Sequence, residues 1–231
     1  MKKYAVITGA SSGIGAAFAK KLSDQGYSLI LIARRKPCLE KLARQLSAEC
    51  EIIPADLTKP EDCRRVYQSI ADKPVEIFIN NAGMGDCGPF LVGDLDKELQ
   101  MISLNIRALH YFTKKILRNM QKADHGYLLN VASSAGLIPA GPYMAAYYAT
   151  KSYVTSLTRA VAEELAECHS HVYVGCLCPG PVDTEFNRVA NVEFRLKGIS
   201  ASSCVSYALK QMQKRQIVIV PTFYMKSAVF F

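Results

Sequence analysis

The chain has 231 residues, 50% of them hydrophobic and 21% charged, which suits one compact domain spanning 1–231 and leaves little room for two. Its formal charge of +8 is scattered over Lys20-Lys21, Arg34-Arg35-Lys36, Arg64-Arg65, Lys114-Lys115 and Lys214-Arg215. Bases spread in this way are mostly solvated helix faces and argue against nucleic-acid binding, although a basic protein does attract anionic ligands in general. The first apolar run, residues 4–7, is far too short for a signal peptide or a membrane helix, so a cytoplasmic protein with no membrane span is expected. Eight cysteines without the dense spacing of a secreted scaffold read as reduced thiols. Cys176 and Cys178, inside an apolar run, read as small core residues, and no metal is assigned.

In chain order, 4–7 reads as a buried strand that opens into Thr8-Gly9-Ala10-Ser11-Ser12-Gly13-Ile14-Gly15, with a helical pattern over 16–25. Glycines between a strand and a helix let the backbone approach a pyrophosphate closely, and the helix N-terminus offers unpaired N–H groups and a positive dipole end. Gly9, Ser11, Ser12, Gly13 and Ile14 are therefore candidate cofactor contacts, although the spacing G-x-x-x-G-x-G departs from the common G-x-G-x-x-G. Strand 28–33 ends on Ala33-Arg34-Arg35, where a carboxylate would bind the ribose 2′-hydroxyl of NAD. Arginine there pairs with a 2′-phosphate through two parallel hydrogen bonds, so Arg34 and Arg35 favour NADP(H).

After a helix over 39–48, strand 51–54 leads to Asp56 and Leu57, also candidate contacts; Asp56 either meets the adenine edge or caps the helix that follows over 60–71. Strand 76–79 runs into Asn80-Asn81-Ala82-Gly83, and one long helix is expected over 95–120. Strand 127–131 leads to Ala132-Ser133-Ser134, helix 145–167 carries Tyr147 and Lys151, and strand 171–177 leads to Pro179-Gly180. The least regular segment, 181–202, is expected to be a loop that closes over substrate, before helix 203–214 and strand 216–220. Apolar strands alternating with helices imply an α/β fold of the doubly wound, Rossmann type: a parallel sheet of about seven strands covered on both faces.

Tyr147 and Lys151 are four residues apart and share one helix face. A free tyrosine, with a pKa of about 10, is a poor proton donor or acceptor at neutral pH, and a neighbouring ammonium lowers that value by stabilising the phenolate. Tyr147 then serves as the acid for carbonyl reduction and the base for alcohol oxidation. Thirteen residues earlier, Ser134 stands at the mouth of a strand, where its hydroxyl can bond the reacting oxygen.

Taken together, Thr8 to Gly15, Asn80-Asn81-Ala82-Gly83, Ser133-Ser134, Tyr147-x-x-x-Lys151 and Pro179-Gly180-Pro181-Val182-x-Thr184 make the sequence resemble the short-chain dehydrogenase/reductase family over roughly residues 4–190. The resemblance implies an NADP(H)-dependent oxidoreductase with a catalytic tetrad of Asn105, Ser134, Tyr147 and Lys151. In that tetrad Asn105 holds a helix bend and a proton-relay water, and Lys151 also holds the nicotinamide ribose. Asn81, Ala82 and Gly83 would pack beside the adenosine, and Pro179, Gly180, Val182 and Thr184 beside the nicotinamide carboxamide. Family members also imply a homodimer or homotetramer built on helices 95–120 and 145–167.

The substrate expected by resemblance is a small-molecule carbonyl or alcohol of hydroxysteroid or 3-oxoacyl type, and Phe186, Val189, Val192 and Phe194 in the late loop favour a hydrophobic one. The alternative from another class is a dinucleotide-binding sensor without turnover, against which stands the joint presence of Ser134, Tyr147 and Lys151. The apolar end 227–231 implies truncation, a further tail, or a terminus buried against a partner subunit.

Overall fold

The computed structural model describes residues 2–190, 192 and 198–230, with side chains up to 227. The first part alternates strand and helix: β1 (Tyr4–Thr8), α1 (Gly13–Asp24), β2 (Ser28–Ala33), α2 (Lys36–Ala43), β3 (Cys50–Pro54), α3 (Pro60–Ile70) and β4 (Val75–Asn80). A 3₁₀ turn (Phe90–Val92), α4 (Leu95–Ile102), a π-helical stretch (Ser103–Ala108) and α5 (Leu109–Ala123) follow. Next come β5 (Tyr127–Val131), a 3₁₀ turn (Ser134–Gly136), α6 (Ala145–Glu167) and β6 (Tyr173–Leu177). The last part holds β7 (Val182–Asp183), α7 (Glu185–Val189), β8 (Ile199–Ser200), α8 (Ala201–Gln213), β9 (Val218–Ile219) and α9 (Phe223–Phe230).

Seven strands form one parallel sheet in the order β3-β2-β1-β4-β5-β6-β9, and β7 pairs with β8 separately. The order reverses between β1 and β4, and the crevice beyond the carboxyl ends of strands at such a reversal is where α/β folds bind ligands. Period-two alternation explains why the strands read as unbroken apolar runs. Val6, Ile30, Ile32, Phe78 and Leu128 point to the face covered by Phe112, Ile116 and Met120 of α5. Ala5, Ile7, Leu29, Leu31 and Ile79 point to the other, covered by Phe18 and Leu22 of α1 and by Val205 and Leu209 of α8. Each of these Val, Ile, Leu, Phe and Met side chains, fully buried, contributes about 1.5–3 kcal/mol.

A polar network crosses this core where the sheet meets α5 and α6. Asn80 Nδ2 donates to Asn130 Oδ1 at 3.1 Å and to the Leu109 carbonyl at 3.0 Å, and Asn130 Nδ2 donates to Thr158 Oγ1 at 2.9 Å. Both asparagines are buried, so leaving either amide unpaired would cost about 1–3 kcal/mol. The first asparagine of Asn80-Asn81 thus fixes β4 to β5 and α5.

Three expectations change. The helix expected over 95–120 is divided by the π-helical stretch, because an inserted residue leaves apolar spacing on either side intact and so escapes a periodicity count. The helix expected over 39–48 is α2, which starts earlier because Pro37 suits the first turn, where a missing N–H costs nothing. Within 181–202 the structure places β7, α7 and β8, and residues 191 and 193–197, Phe194 among them, lie outside the described residues. Of the end 227–231, the backbone of 227–230 continues α9 and residue 231 lies outside the described residues; earlier in α9, Met225 is buried against Gly180. Among the described residues no helix is long and apolar enough to cross a membrane, and no three His, Cys, Asp or Glu side chains gather as a metal site. Cys176 and Cys178 are both fully buried, their sulfurs 3.8 Å apart.

Candidate active site

The carboxyl ends of the central strands surround one cavity of about 400 Å³, and all the expected dinucleotide contacts, from Gly9 to Thr184, line it. The glycine turn forms its floor. Gly9 has φ +65°, a left-handed conformation that favours glycine, and a methyl group on Gly15 would strike the Gly9 carbonyl oxygen. Ser12 sits at the N-cap of α1 in an extended conformation without a side-chain cap, so the helix's first N–H groups are left for a ligand on the cavity side. Asn81, also in the cavity lining, locks the turn: its Nδ2 donates to the carbonyls of Thr8 at 2.9 Å and Gly9 at 3.2 Å. Asp56 does not cap α3, whose N-cap is Lys59; its Oδ1 accepts from Thr58 N and Oγ1, and the residue lines the cavity.

At one rim, Arg34 and Arg35 extend from the end of β2 into solvent. Arg35 is not free: Nη2 lies 2.7 Å from Glu185 Oε2 and within hydrogen-bond reach of Ser11 and Ser12 Oγ. Glu185 was not a candidate from sequence, because its partner is 150 residues away and no local pattern announces such a pair.

At the far end lie Tyr147 and Lys151, both buried, on the first turns of α6. Lys151 Nζ donates to the Val131 carbonyl at 2.9 Å and lies 5.7 Å from the Tyr147 ring centroid. Burial pushes the Tyr147 phenol up to about 12, opposed in part by a hydrogen bond with Ser133. Burial likewise lowers Lys151 to about 8, which Cys178 partly offsets. Burial is the largest influence on both groups and shifts each toward its neutral form.

Of the two serines, Ser133 is the one that draws the Tyr147 phenol down. Ser133 caps the 3₁₀ turn in an extended conformation, while Ser134 enters it with its N–H donated to the Pro179 carbonyl at 2.8 Å. Both hydroxyls line the cavity, and a count of residues back from Tyr147 cannot separate neighbours.

Asn105 lies in the π-helical stretch, buried, and clamps the segment after β4: it donates to the Met84 carbonyl at 2.8 Å, accepts from Met84 N at 3.0 Å, and donates to Thr150 Oγ1 at 3.1 Å. Phe186 of α7 covers the phenol, its ring centroid 5.6 Å from that of Tyr147. Met84, Met144 and Tyr148 complete apolar walls around Tyr147. Of the late-loop residues expected at the substrate, Phe186 and Val189 line the cavity.

This arrangement of glycine turn, strand ends and buried phenol coincides with a family pattern, as the model of "short chain dehydrogenase" matches residues 3–193. The chain belongs to the short-chain dehydrogenase/reductase family of oxidoreductases. Among family members, dehydrogenase/reductase SDR family member 11 of Bos taurus is 35% identical over 198 residues, 80% of this chain and 76% of that one. A short-chain dehydrogenase from Sphingobium yanoikuyae, solved in complex with NADPH, superposes with a TM-score of 0.88 at 30% identity, covering 96% of this chain and 89% of that one. The bulky-bulky ketone specific alcohol dehydrogenase from Comamonas testosteroni gives 0.83 at 27% identity, with 96% and 86% covered. The seven-stranded parallel sheet is the Rossmann fold of these short-chain dehydrogenases.

Proposed function

We propose that the protein is an NADP(H)-dependent oxidoreductase that interconverts a ketone and a secondary alcohol on an apolar substrate, with Tyr147 moving the proton. The observation that carries this reading is the single cavity that joins Arg34 and Arg35 at the end of β2 to the buried pair Tyr147 and Lys151. The residues fit the dinucleotide: a glycine cradle, an uncapped helix start and, in place of an acidic side chain at the end of β2, two arginines suited to a 2′-phosphate. When bound, the nicotinamide supplies the hydride in reduction and accepts it in oxidation.

The protein's own groups do the rest. With its pKa near 12, the Tyr147 phenol is protonated at neutral pH and so is loaded to give its Oη proton to a carbonyl oxygen as the carbon gains hydride. Ser133, which draws the phenol down, polarises the same oxygen, and the Lys151 ammonium beside the ring stabilises the phenolate left behind. In oxidation the phenolate takes the alcohol proton back. Asn105 positions the Met84 backbone and Thr150, and through them the start of α6. The methionine and aromatic walls favour a substrate with an apolar body, a preference in keeping with the bulky ketones named for the Comamonas relative. NADP(H) is in keeping with the Sphingobium complex. The exposed apolar run Phe90, Leu91, Val92, Leu95 and Leu99 supports assembly into a homo-oligomer.

Steady-state turnover of ketones by single variants tests the assignment of roles. Tyr147→Phe is expected to lower kcat about 10²- to 10⁴-fold. Ser133→Ala should lower it about 10²-fold or more, and Ser134→Ala by less than about tenfold. NADPH binding should persist in all three. A larger loss in Ser134→Ala than in Ser133→Ala would return the role to Ser134, and full activity in Tyr147→Phe would end the reading.

A further inference from the structure

Two side chains 150 residues apart meet at the rim of the cavity: Arg35, just past β2, and Glu185, the first residue of α7. The contact is forked, Nη2 to Oε2 at 2.7 Å and Nη1 to Oε1 at 3.5 Å. The same Nη2 reaches Ser11 Oγ at 3.3 Å and Ser12 Oγ at 3.2 Å, so both serines of the glycine turn help to orient the guanidinium. Carboxylate and phosphate recognise a guanidinium through the same two-pronged geometry, and one Arg fork cannot serve both at full strength. Both partners are half-exposed, at 50% and 40%, so the pair itself is weak and exchangeable. Arg188 approaches the second Glu185 oxygen at 3.8 Å and offers the carboxylate an alternative partner on its own helix.

We infer that Glu185 is a specificity-determining residue: it competes with the 2′-phosphate of NADP(H) for Arg35, while NAD(H), which lacks that phosphate, leaves the pair in place. This rests on the NADP(H) reading above. A phosphate carries close to two negative charges against one on the carboxylate, so it wins the arginine at a cost that NAD(H) does not meet. Glu185 then swings to Arg188 or to solvent. The exchange also reaches the catalytic end, because Phe186, the next residue of α7, is the ring that covers Tyr147. Recognition of the phosphate therefore loosens the helix that lies over the phenol.

Dissociation constants of NADPH and NADH, measured by fluorescence titration at fixed ionic strength, test the competition. Glu185→Gln should tighten NADPH about fivefold and leave NADH within about twofold. Arg35→Ala should weaken NADPH about tenfold or more, and in that background Glu185→Gln should gain less than about twofold. Equal shifts for the two dinucleotides, or an undiminished gain in the Arg35→Ala background, would overturn the competition while leaving the NADP(H) reading intact. An unchanged NADPH to NADH ratio when Arg34 and Arg35 are both replaced by Ala would instead remove the NADP(H) reading, and the inference with it. Hydrogen exchange over residues 184–190 reads the coupling: it should be faster with saturating 2′,5′-ADP than with saturating 5′-AMP, and identical exchange would refute it.

Discussion

Lys151 shows how much a single residue can be held against its own preference. A buried ammonium at the cavity wall, with the Val131 carbonyl its hydrogen-bond partner, has its pKa drawn down from 10.5 to about 8. A shift of that size corresponds to a folding cost on the order of 3 kcal/mol at neutral pH. The sign follows from proton binding: between about pH 8 and 10.5 the unfolded chain holds the proton more tightly than the folded one, so this group's penalty is full below 8 and fades as pH rises to 10.5. Lys151→Met, which keeps the length and drops the charge, should therefore raise stability at pH 7 by about 1–2 kcal/mol after losing the Val131 hydrogen bond. Denaturant unfolding should show that advantage shrinking toward pH 10.5, while turnover is lost. An advantage that grows with pH would mean the ammonium is not destabilised by burial. The residues themselves were legible in part: Tyr147 and Lys151 follow from a spacing of four on a helix, but the packing of Phe186 and Met144 around Tyr147 is something no spacing reveals.

Among the elements, the π-helical stretch 103–108 stands out because it turns one polar side chain inward at a place where a regular helix would continue its stripe. Asn105 spends its amide on both backbone groups of Met84 and on Thr150, so the loop after β4 and the start of α6 are fixed by one residue. Asn105→Ala leaves those groups without their partner and should cost about 1–3 kcal/mol in chemical denaturation, with a KM for substrate that rises more than the dissociation constant for NADPH. A variant as stable as the parent would show that water replaces the amide without penalty. Sequence periodicity identified the helices on either side but not the interruption. It also read 181–202 as irregular, since the strands there are two residues each and their partners lie across the fold. Short elements stabilised by distant contacts leave little local signal, and Glu185 on α7 was missed for the same reason.

For the whole molecule, the alternation of apolar runs with amphipathic stretches sufficed to specify a parallel sheet with covered faces, because strands buried on both sides must be apolar at every position. Strand order was available only through the resemblance and the rule that ligands gather where the order reverses. Once the sheet is assembled, Gly9, Arg35, Asp56, Asn81, Ser133 and Pro179, spread over most of the chain, stand around one opening. What stayed hidden were choices between adjacent side chains and pairs of charges far apart in sequence, both fixed by packing rather than by pattern. A hydride-transfer site served by NADP(H) and Tyr147 is tested by titrating the purified protein with NADPH and NADH and then following nicotinamide absorbance across a panel of apolar ketones. Saturable binding is expected, tighter for NADPH, with oxidation of NADPH by at least one ketone that disappears in Tyr147→Phe. No saturable binding of either dinucleotide, or turnover untouched by Tyr147→Phe, would contradict it.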